Sequence, residues 1–375
     1  TQRYIGVLGD LSGPKIRVGK VTAAGVMLTT GSQIRLSSKD GIIAGTGNAL
    51  EDVVLGVNRS DFLTEVKPGQ RVLLDDGNVQ LRCVESLSKD ATGQAITCQI
   101  EHGGLITSGK GINLPDTELS MPSLTDWDRQ CVDFAVEAGF DYLALSFVRR
   151  PEDVRELKER LRELGARPAA PLRNGAAIGK SFSAYGSGNR DFIPVISKIE
   201  KPQAMQQLDE IVNESDVIMV ARGDLGVEMD IAEVPVAQKK IIRTCHHHGK
   251  PTIVATQMLQ SMIESPVPTR AEATDVANAI FDGTDAVMLS GETAVGKFPI
   301  ETVRTMRRIA RHTNTYRLAE NLSFEQPTRA RNSRFRTAAL AHAVKAIVND
   351  IDALLIVMWS QLGGGASYMA QNKLP

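Results

Sequence analysis

The sequence predicts an α/β fold of parallel strands joined by helices, with a β-rich region inserted after the first strand. Three observations support this prediction. Short apolar runs recur along the chain, and each is followed by polar or glycine residues. Apolar residues at helical spacing lie between the later runs, which is typical of parallel strands with helical crossovers. The stretch from Ile16 to Ile112 shows no such helical spacing.

Six apolar runs are the predicted strands of this fold. They are Ile5–Leu8, Tyr142–Phe147, Val195–Ile199, Val217–Ala221, Thr252–Ala255 and Ala286–Leu289. Two of the intervening helices are predicted from residues that would share one helical face. These residues are Val154, Leu157, Leu161 and Leu164 in the first helix, and Met205, Leu208, Ile211 and Val212 in the second.

Polar side chains at the carboxyl ends of these runs favour a closed (β/α)₈ TIM barrel over an open doubly wound sheet. In a barrel the strand ends meet at one mouth, where barrel enzymes place their chemistry. An open sheet would spread them around one switch point. The polar residues are Asp10, Ser146, Lys198, Glu200, Arg222, Asp224, Thr256, Ser290 and Glu292. We therefore expect a barrel, with six of its eight strands visible in the sequence.

The sequence divides into three predicted regions. Residues 1–14 and 116–320 are assigned to the barrel domain, and residues 15–115 to a β-rich domain with a turn at residues 75–78. Within the barrel domain, residues 167–190 are rich in Gly, Ser and Ala and are expected to form a surface insertion. Residues 321–375 are assigned to a linker and the start of another α/β domain. Its predicted elements are a helix at Ala338–Val348, a strand at Leu354–Met358 and a glycine turn at 363–365.

Composition argues against several functions. The 375 residues carry a formal net charge of −1 and only 5% aromatic residues, so neither nucleic acid nor a membrane surface is an expected partner. Four cysteines without CxxC spacing indicate a reducing compartment. No apolar run approaches the length of a membrane span. The expected class is a cytoplasmic enzyme.

Lys198 and Glu200 are the first candidate site residues. Two residues apart on a strand, they project to the same face and place an ammonium group beside a carboxylate. An isolated pair of this kind is usually a surface salt bridge. The next strand, however, ends in Arg222-Gly223-Asp224 and brings a second carboxylate to the neighbouring strand end. Two such carboxylates are typical of a Mg²⁺ site, and Gly223 allows close approach of an anion to the backbone.

Thr256, Ser290 and Glu292 complete the predicted rim. Each follows a predicted strand, and a single Ser or Thr at such a junction is usually a helix cap. Their position on consecutive strand ends favours a shared role. A divalent metal, a cation and an anion-binding backbone together are what phosphoryl transfer requires.

Several segments resemble the pyruvate kinase family in order and spacing, outside residues 167–190. They are Asp10–Arg17, Asp75–Gly77, Gly111–Pro115, Ser197–Glu200, Met219–Gly226, Ala255–Leu259, Pro268–Glu272, Asp275–Asn278 and Met288–Ala294. The resemblance implies a TIM barrel with an inserted β-barrel-like lid domain. It also implies phosphoryl transfer from phosphoenolpyruvate to ADP, giving pyruvate and ATP, with Mg²⁺ or Mn²⁺ as cofactor. For the full-length enzyme the resemblance implies a homotetramer.

The resemblance also implies residue roles. Lys198 would stabilise the phosphoryl group in transfer, and Glu200 and Asp224 would bind the metal. The amides of Gly223 and Asp224 and the Thr256 hydroxyl would hold the substrate carboxylate. Thr256, Ser290 and Glu292 resemble the group that delivers a proton to the enolate. The residues matching cationic positions at the nucleotide phosphates are Arg17 and Arg150.

Lys15 resembles the variant of the family that does not require K⁺. Most animal-like members have glutamate at this position, and a threonine where Leu11 stands here. In the lysine variant the ammonium group takes the place of the monovalent cation, near Asp10. A tethered charge loses less entropy on ordering than a free ion does. We expect activity without added K⁺.

Two departures from the family leave alternatives open. The family's Ala-Arg-Met-Asn-Phe-Ser-His-like segment is not found in this sequence, and the further α/β domain is short. We expect a fragment of a complete enzyme, and not a protein that has lost part of its barrel, and we expect the chain to be poorly active or inactive as it stands. A Mg²⁺-dependent pyruvate or oxaloacetate aldolase is a rival class, although the inserted domain and Lys198 argue against it. An inactive, truncated pyruvate kinase paralogue is the second rival.

Overall fold

The structure is a computed structural model of the 375-residue chain. It describes residues 5–39, 42–43, 53–90, 93–166, 193–320, 322, 336–351, 353, 355–359, 369–370 and 372. The predicted insertion at 167–190 and the glycine turn at 363–365 lie outside the described residues. Most of the predicted linker lies outside them as well.

The chain forms two compact units. The barrel unit comprises Thr1–Leu11, Leu124–Gly223 and Ala232–Pro375, and the β unit comprises Ser12–Ser123 and Asp224–Ile231. The domain boundaries predicted from the sequence stay a prediction. Among the described residues, none of the helices has the length and apolar character needed to cross a membrane.

The strands are numbered in chain order. They are β1 (Leu8–Leu11), β2 (Ile16–Arg17), β3 (Val26–Leu28), β4 (Gln33–Ser37), β5 (Ile42–Ile43), β6 (Val53–Gly56), β7 (Arg71–Leu74), β8 (Val79–Asp90), β9 (Gly93–His102), β10 (Gly104–Ile106), β11 (Gly111–Asn113), β12 (Tyr142–Leu145), β13 (Val195–Ile199), β14 (Val217–Ala221), β15 (Thr252–Ala255) and β16 (Ala286–Met288).

The α-helices are α1 (Asp126–Ala138), α2 (Pro151–Glu163), α3 (Leu208–Glu214), α4 (Arg222–Glu228), α5 (Val234–His248), α6 (Arg270–Phe281), α7 (Gly291–Ala294), α8 (Pro299–Ala319) and α9 (Arg336–Asp350). Short 3₁₀ turns lie at Asp61–Thr64, Pro202–Met205 and Gln260–Ile263. The second predicted helix is therefore split, with a 3₁₀ turn before α3.

The barrel unit contains a parallel six-stranded sheet in the order β1-β12-β13-β14-β15-β16. Each strand pairs with the next one of this sheet along the chain, without the reversal that defines a doubly wound sheet. This order is that of a barrel wound in one direction, as predicted. Strands β13, β14 and β15 have the predicted bounds.

The first strand differs from its prediction. The sequence predicted Ile5–Leu8, but β1 spans Leu8–Leu11 and pairs along its length with β12. The predicted strand ended at Leu8, where the apolar run ends, whereas the observed strand continues through the charged residue Asp10. Its carboxylate has an ion-pair partner in Lys198, so a charged residue is accommodated there.

Both faces of the sheet are covered. One face packs against helices through a large apolar cluster that includes Leu143, Val220 and Ile241. The opposite face carries a smaller cluster of Ala144, Ile196, Met219 and Ala255. Because side chains alternate along a strand, Lys198 projects to the same face as Ile196. The smaller cluster therefore lies beneath the candidate site.

Local sequence signals fix the ends of the helices. Helix α1 begins with a capping box between Thr125 and Asp128, and α6 with one between Thr269 and Glu272. Helices α1 and α5 end at Gly139 and Gly249 in the left-handed conformation that favours glycine.

The β unit is built from an eight-stranded sheet in the order β2-β11-β7-β8-β9-β4-β6-β5 and a pair formed by β3 and β10. Its core is apolar, with Phe62 on the 3₁₀ turn fully buried. The predicted turn between β7 and β8 is confirmed, and Asp75 and Asp76 both have positive φ angles there. These features confirm the β-rich character predicted from the sequence.

The predicted strand at Leu354–Met358 is wrong. Residues 355–359 are described and form no strand. Leu355 and Val357 are 78% and 87% exposed, and no strand of the described residues pairs with this apolar run. The preceding predicted helix is confirmed as α9.

Candidate active site

Lys198 lies at the centre of a charged cluster at the carboxyl end of β13. Its ammonium group is 3.2 Å from both carboxylate oxygens of Asp10, 3.0 Å from Glu200 Oε1 and 2.9 Å from Ser146 Oγ. The Lys198 side chain is only 12% exposed. Three strands, β1, β12 and β13, thus bring their end residues together, as the predicted barrel mouth requires.

The charge on Lys198 is stabilised by its neighbours. Burial disfavours the charged ammonium group, but the attraction of Glu200 and Asp10 outweighs it and raises the pKa of Lys198 above its ordinary value. The group therefore stays protonated at neutral pH. It can neutralise an anion, but it is a poor proton donor.

Glu200 is held in place by the backbone. This carboxylate is 1% exposed, and its Oε2 accepts a hydrogen bond of 2.6 Å from the amide of Phe147. Phe147 has a φ angle of +56°, in the left-handed region that a bulky residue rarely adopts. Strained backbone of this kind collects at functional sites. Sequence reasoning missed Phe147 because its apolar side chain made it look like part of the strand.

Thr256 and Gly223 meet across the ends of β14 and β15. The amide of Gly223 donates a 2.7 Å hydrogen bond to Thr256 Oγ1, and the hydroxyl donates to the carbonyl of Ala255 at 2.6 Å. A Cβ atom at position 223 would lie 3.2 Å from that hydroxyl oxygen, so glycine permits the close approach. Thr256 itself has a φ angle of +69°. The predicted substrate-binding residues Gly223 and Thr256 are therefore neighbours.

Arg222 forms a dense set of contacts beside this pair. Its Nη1 donates to both carboxylate oxygens of Asp275, at 2.8 and 2.6 Å. Its Nη2 donates to the carbonyls of Thr256 and Gln257, at 2.9 and 3.3 Å. Asp275 has no role predicted from the sequence, although it lies in a family-like segment. Its contact with Arg222, the first residue of α4, could not be predicted from spacing alone.

Ser290 and Glu292 lie after β16. Glu292 is fully buried, and its two oxygens accept hydrogen bonds from the amides of Leu259 and Ser290, at 3.0 and 2.8 Å. This carboxylate therefore fixes two backbone segments. The Ser290 hydroxyl is buried and has no hydrogen-bond partner among the described residues.

Four further predicted site residues have these contacts. In the β unit, Lys15 Nζ lies 3.9 Å from Asp224 Oδ1, and Arg17 donates to the carbonyl of Gly109 at 2.9 Å. In the barrel unit, Arg150 precedes the first residue of α2, and its exposed guanidinium lies 3.5 Å from Asp153. Asp10, predicted for a cation site, pairs with Lys198.

The fold and these contacts define a class of protein: a barrel enzyme with its charged site at the carboxyl ends of parallel strands. A sequence model of the pyruvate kinase barrel domain matches residues 1–169 and 172–303. The chain is 38% identical to a pyruvate kinase of Corynebacterium efficiens over 371 residues, which cover 99% of this chain and 69% of the relative.

Two further relatives agree. A pyruvate kinase of Thermotoga maritima is 39% identical over 356 residues, covering 95% of this chain and 67% of the relative. Pyruvate kinase 2 of Synechocystis is 39% identical over 370 residues, covering 98% of this chain and 56% of the relative. The chain belongs to the pyruvate kinase family, and the resemblance noted in the sequence is confirmed.

Proposed function

We propose that this protein transfers the phosphoryl group of phosphoenolpyruvate to ADP, giving pyruvate and ATP. The observation that carries the proposal is the buried Lys198 cluster at the strand ends of a pyruvate kinase barrel. In the reaction, the bond between phosphorus and the enol oxygen breaks, and a β-phosphate oxygen of ADP bonds to phosphorus. The remaining enolate of pyruvate takes up a proton at carbon.

Lys198 would act by its charge. A protonated ammonium group in a site of low dielectric stabilises negative charge on the oxygens of the phosphoryl group during transfer. The raised pKa of Lys198 supports this role because the group keeps its proton while an anion is bound. Its present partners, Asp10 and Glu200, show that the ammonium group already contacts hard anionic oxygens.

Mg²⁺ is the proposed cofactor, with Glu200 and Asp224 as its protein ligands. Among the described residues there is no group of three or more His, Cys, Asp or Glu that could hold a metal by itself. Two carboxylates fit Mg²⁺, because this ion keeps several waters and takes few protein ligands. When bound, the metal would neutralise charge on the phosphate and the substrate carboxylate. Mn²⁺ is expected to substitute.

The substrate carboxylate is proposed to bind at the amides of Gly223 and Asp224 and at the Thr256 hydroxyl. The Gly223 amide already donates to an oxygen, that of Thr256, at 2.7 Å. A carboxylate oxygen could take the same hydrogen bond. Arg17 and Arg150 are proposed for the phosphates of the nucleotide.

Proton delivery to the enolate is proposed to involve Thr256, Ser290 and Glu292. The buried Ser290 hydroxyl supports this because it has a proton to donate and no described hydrogen-bond partner. Glu292 accepts hydrogen bonds from the backbone amides of Leu259 and Ser290, which supports a positioning role for it within this group.

Lys15 is proposed to replace the monovalent cation. It lies near Asp224, at 3.9 Å, where a positive charge balances the carboxylate. Activity is expected without added K⁺ when Mg²⁺ is saturating. A large stimulation by K⁺ in a steady-state assay would contradict this part of the proposal. A cytoplasmic location and a homotetramer are proposed on the family resemblance alone.

The direct test is to supply phosphoenolpyruvate, ADP and Mg²⁺ and to measure pyruvate and ATP together. Equal amounts of both products are expected. Pyruvate without ATP would show hydrolysis of phosphoenolpyruvate instead of transfer to ADP. The absence of both products would favour the rival aldolase class. Binding of phosphoenolpyruvate without turnover in the full-length natural protein would point to an inactive paralogue.

A further inference from the structure

Two consecutive residues at the end of β15 have backbone angles that side chains rarely adopt. Thr256 and Gln257 have φ angles of +69° and +53°. Neither is a glycine, and Thr is β-branched, so this turn persists only if its surroundings hold it. The turn determines where the Thr256 hydroxyl points, and that hydroxyl is a proposed substrate contact.

Arg222 is the group that holds this turn. One arm of its guanidinium donates to the carbonyls of Thr256 and Gln257 and lies 2.8 Å from Met258 Sδ. The planar guanidinium fork can bind two partners in fixed directions at once, which a lysine cannot do. The Arg222 side chain is 11% exposed, so these contacts are shielded from water.

Asp275 in turn holds Arg222. Both of its oxygens accept from Nη1, at 2.8 and 2.6 Å. Asp275 lies on α6, whose first turn is fixed by the capping box of Thr269 and Glu272. The same Glu272 also accepts from the amide of Ser261, which joins the helix to the 3₁₀ turn after β15. The ion pair therefore connects a fixed helix to the strained turn.

Arg222 also precedes Gly223 directly. The backbone of Arg222 therefore bears on the position of the Gly223 amide, and its side chain bears on the turn that carries Thr256 Oγ1. These two groups are hydrogen-bonded to each other. We propose that Arg222 and Asp275 are a positioning pair that sets the substrate-carboxylate contacts of Gly223 and Thr256. This inference rests on the proposed function, and it assigns to the pair a role in substrate affinity beyond holding the fold together.

The test is phosphoenolpyruvate binding by isothermal titration with Mg²⁺ present, with ADP binding as the reference. Asp275→Asn and Arg222→Lys should weaken phosphoenolpyruvate binding roughly tenfold to a hundredfold, because misplaced contacts of this kind cost about that much. ADP affinity should stay within about twofold of the parent, since no phosphate contact of the nucleotide is assigned to this pair.

The matched control is Asp282→Asn. Asp282 is the residue directly after α6 and forms an ion pair with Lys239, but it has no hydrogen bond to the strained turn among the described contacts. This variant should bind both ligands as the parent does. If Asp275→Asn and Asp282→Asn lower the unfolding midpoint equally and neither changes phosphoenolpyruvate affinity, the pair is structural and the inference is wrong.

A double-mutant cycle shows whether Arg222 acts through Thr256. In a Thr256→Ala background, Arg222→Lys should cause a smaller loss of phosphoenolpyruvate affinity than in the parent, because one of the two contacts that Arg222 positions is already gone. Full additivity of the two losses would overturn the inference while leaving the proposed function intact. A folded parent protein that does not bind phosphoenolpyruvate would overturn both. If Arg222→Lys does not fold, the cycle is run with Asp275→Asn.

Discussion

The barrel unit and the β unit differ in how deeply their charged side chains are buried. In the barrel unit, Lys198, Glu200 and Glu292 are largely or fully buried at strand ends. In the β unit, the ion pairs Arg71–Asp116 and Arg82–Glu101 lie at the surface and leave an apolar core beneath. The β unit has a buried carboxylate too, Glu228, which accepts a hydrogen bond from Asn113. Burying charge is costly, so the group of buried charges around Lys198 is a candidate functional site.

Backbone strain follows the same division. Among the described residues of the β unit other than glycine, positive φ angles occur at Asp75 and Asp76, in a hairpin turn where aspartate tolerates this conformation. In the barrel unit they belong to Phe147, Thr256 and Gln257, which tolerate it poorly. In each case the barrel residue contacts a proposed site group or is one. The comparison therefore separates ordinary turn geometry from strain that serves a site.

The largest expected effect comes from removing the buried cation. Lys198→Met should lower kcat by about a thousandfold, because it removes the ammonium group proposed to stabilise the phosphoryl group during transfer. Steady-state kinetics with phosphoenolpyruvate and ADP measure it. The control, Lys239→Met, breaks an ion pair of α5 at the surface and should leave kcat unchanged. An equal loss of kcat in the two variants would show that the buried charge of Lys198 is no more important for activity than the exposed charge of Lys239.

Glu292→Gln tests the buried carboxylate. Glutamine keeps one acceptor but turns an amide group toward a backbone N–H, so about 2–3 kcal/mol of unfolding free energy should be lost. Urea unfolding gives this value. Glu264→Gln, at an exposed ion pair with Lys297, should change stability by less than about 1 kcal/mol. A Glu292 variant as stable as the Glu264 variant would show that the two amides do not need the carboxylate.

Glu272 should make the barrel unit sensitive to acid. Burial opposes its ionisation, but hydrogen bonds from Ser261 and Thr269 outweigh this effect and lower the pKa of Glu272 below the ordinary 4.5. A carboxyl whose pKa is lower in the folded state stabilises the fold above its unfolded pKa, and this contribution is lost as pH falls. Below pH 4.5 the parent should therefore lose stability faster than Glu272→Gln.

The measurement for Glu272 is urea unfolding at a series of pH values. Ser261→Ala removes one of the hydrogen bonds and should give an intermediate dependence on pH. Parallel stability curves for the parent and Glu272→Gln would contradict the prediction.

The smallest expected effect concerns strain. Gln257→Gly should raise the unfolding free energy by about 0.5–1 kcal/mol, because glycine adopts the positive φ angle without a steric penalty. The matched change in the β unit, Asp76→Gly, should give less, since aspartate already tolerates that conformation. Thermal unfolding compares the two. A larger gain at Asp76 would show that strain is not concentrated in the barrel unit.

Much of the fold could be predicted because the buried positions of strands and helices are apolar at a regular spacing that is visible in the sequence. Strands β13, β14 and β15 lie between two apolar layers, so their bounds coincide with continuous apolar runs. The bounds of β1 were wrong because Asp10 interrupts the pattern and its partner Lys198 lies 188 residues away. The predicted strand at 354–358 failed because an apolar run does not reveal whether a neighbouring strand exists.

The candidate site was predictable in part. Spacing placed Lys198 and Glu200 on one face, and their contact is confirmed at 3.0 Å. The bond between Asp275 and Arg222 joins residues 53 positions apart on different elements, and spacing does not predict such a contact. The positive φ angles of Phe147 and Thr256 depend on the packing around these residues, so they could not be predicted from the residue types.

We propose that this protein transfers a phosphoryl group at the buried charges of the barrel unit. Phosphorus NMR of the full-length natural protein with phosphoenolpyruvate, ADP and Mg²⁺ tests it most directly. We predict that the phosphoenolpyruvate signal is replaced by the phosphate signals of ATP, and that Lys198→Met stops this exchange without unfolding the protein. A folded parent protein that forms no ATP, or a Lys198→Met variant that forms it at the parent rate, would contradict the claim.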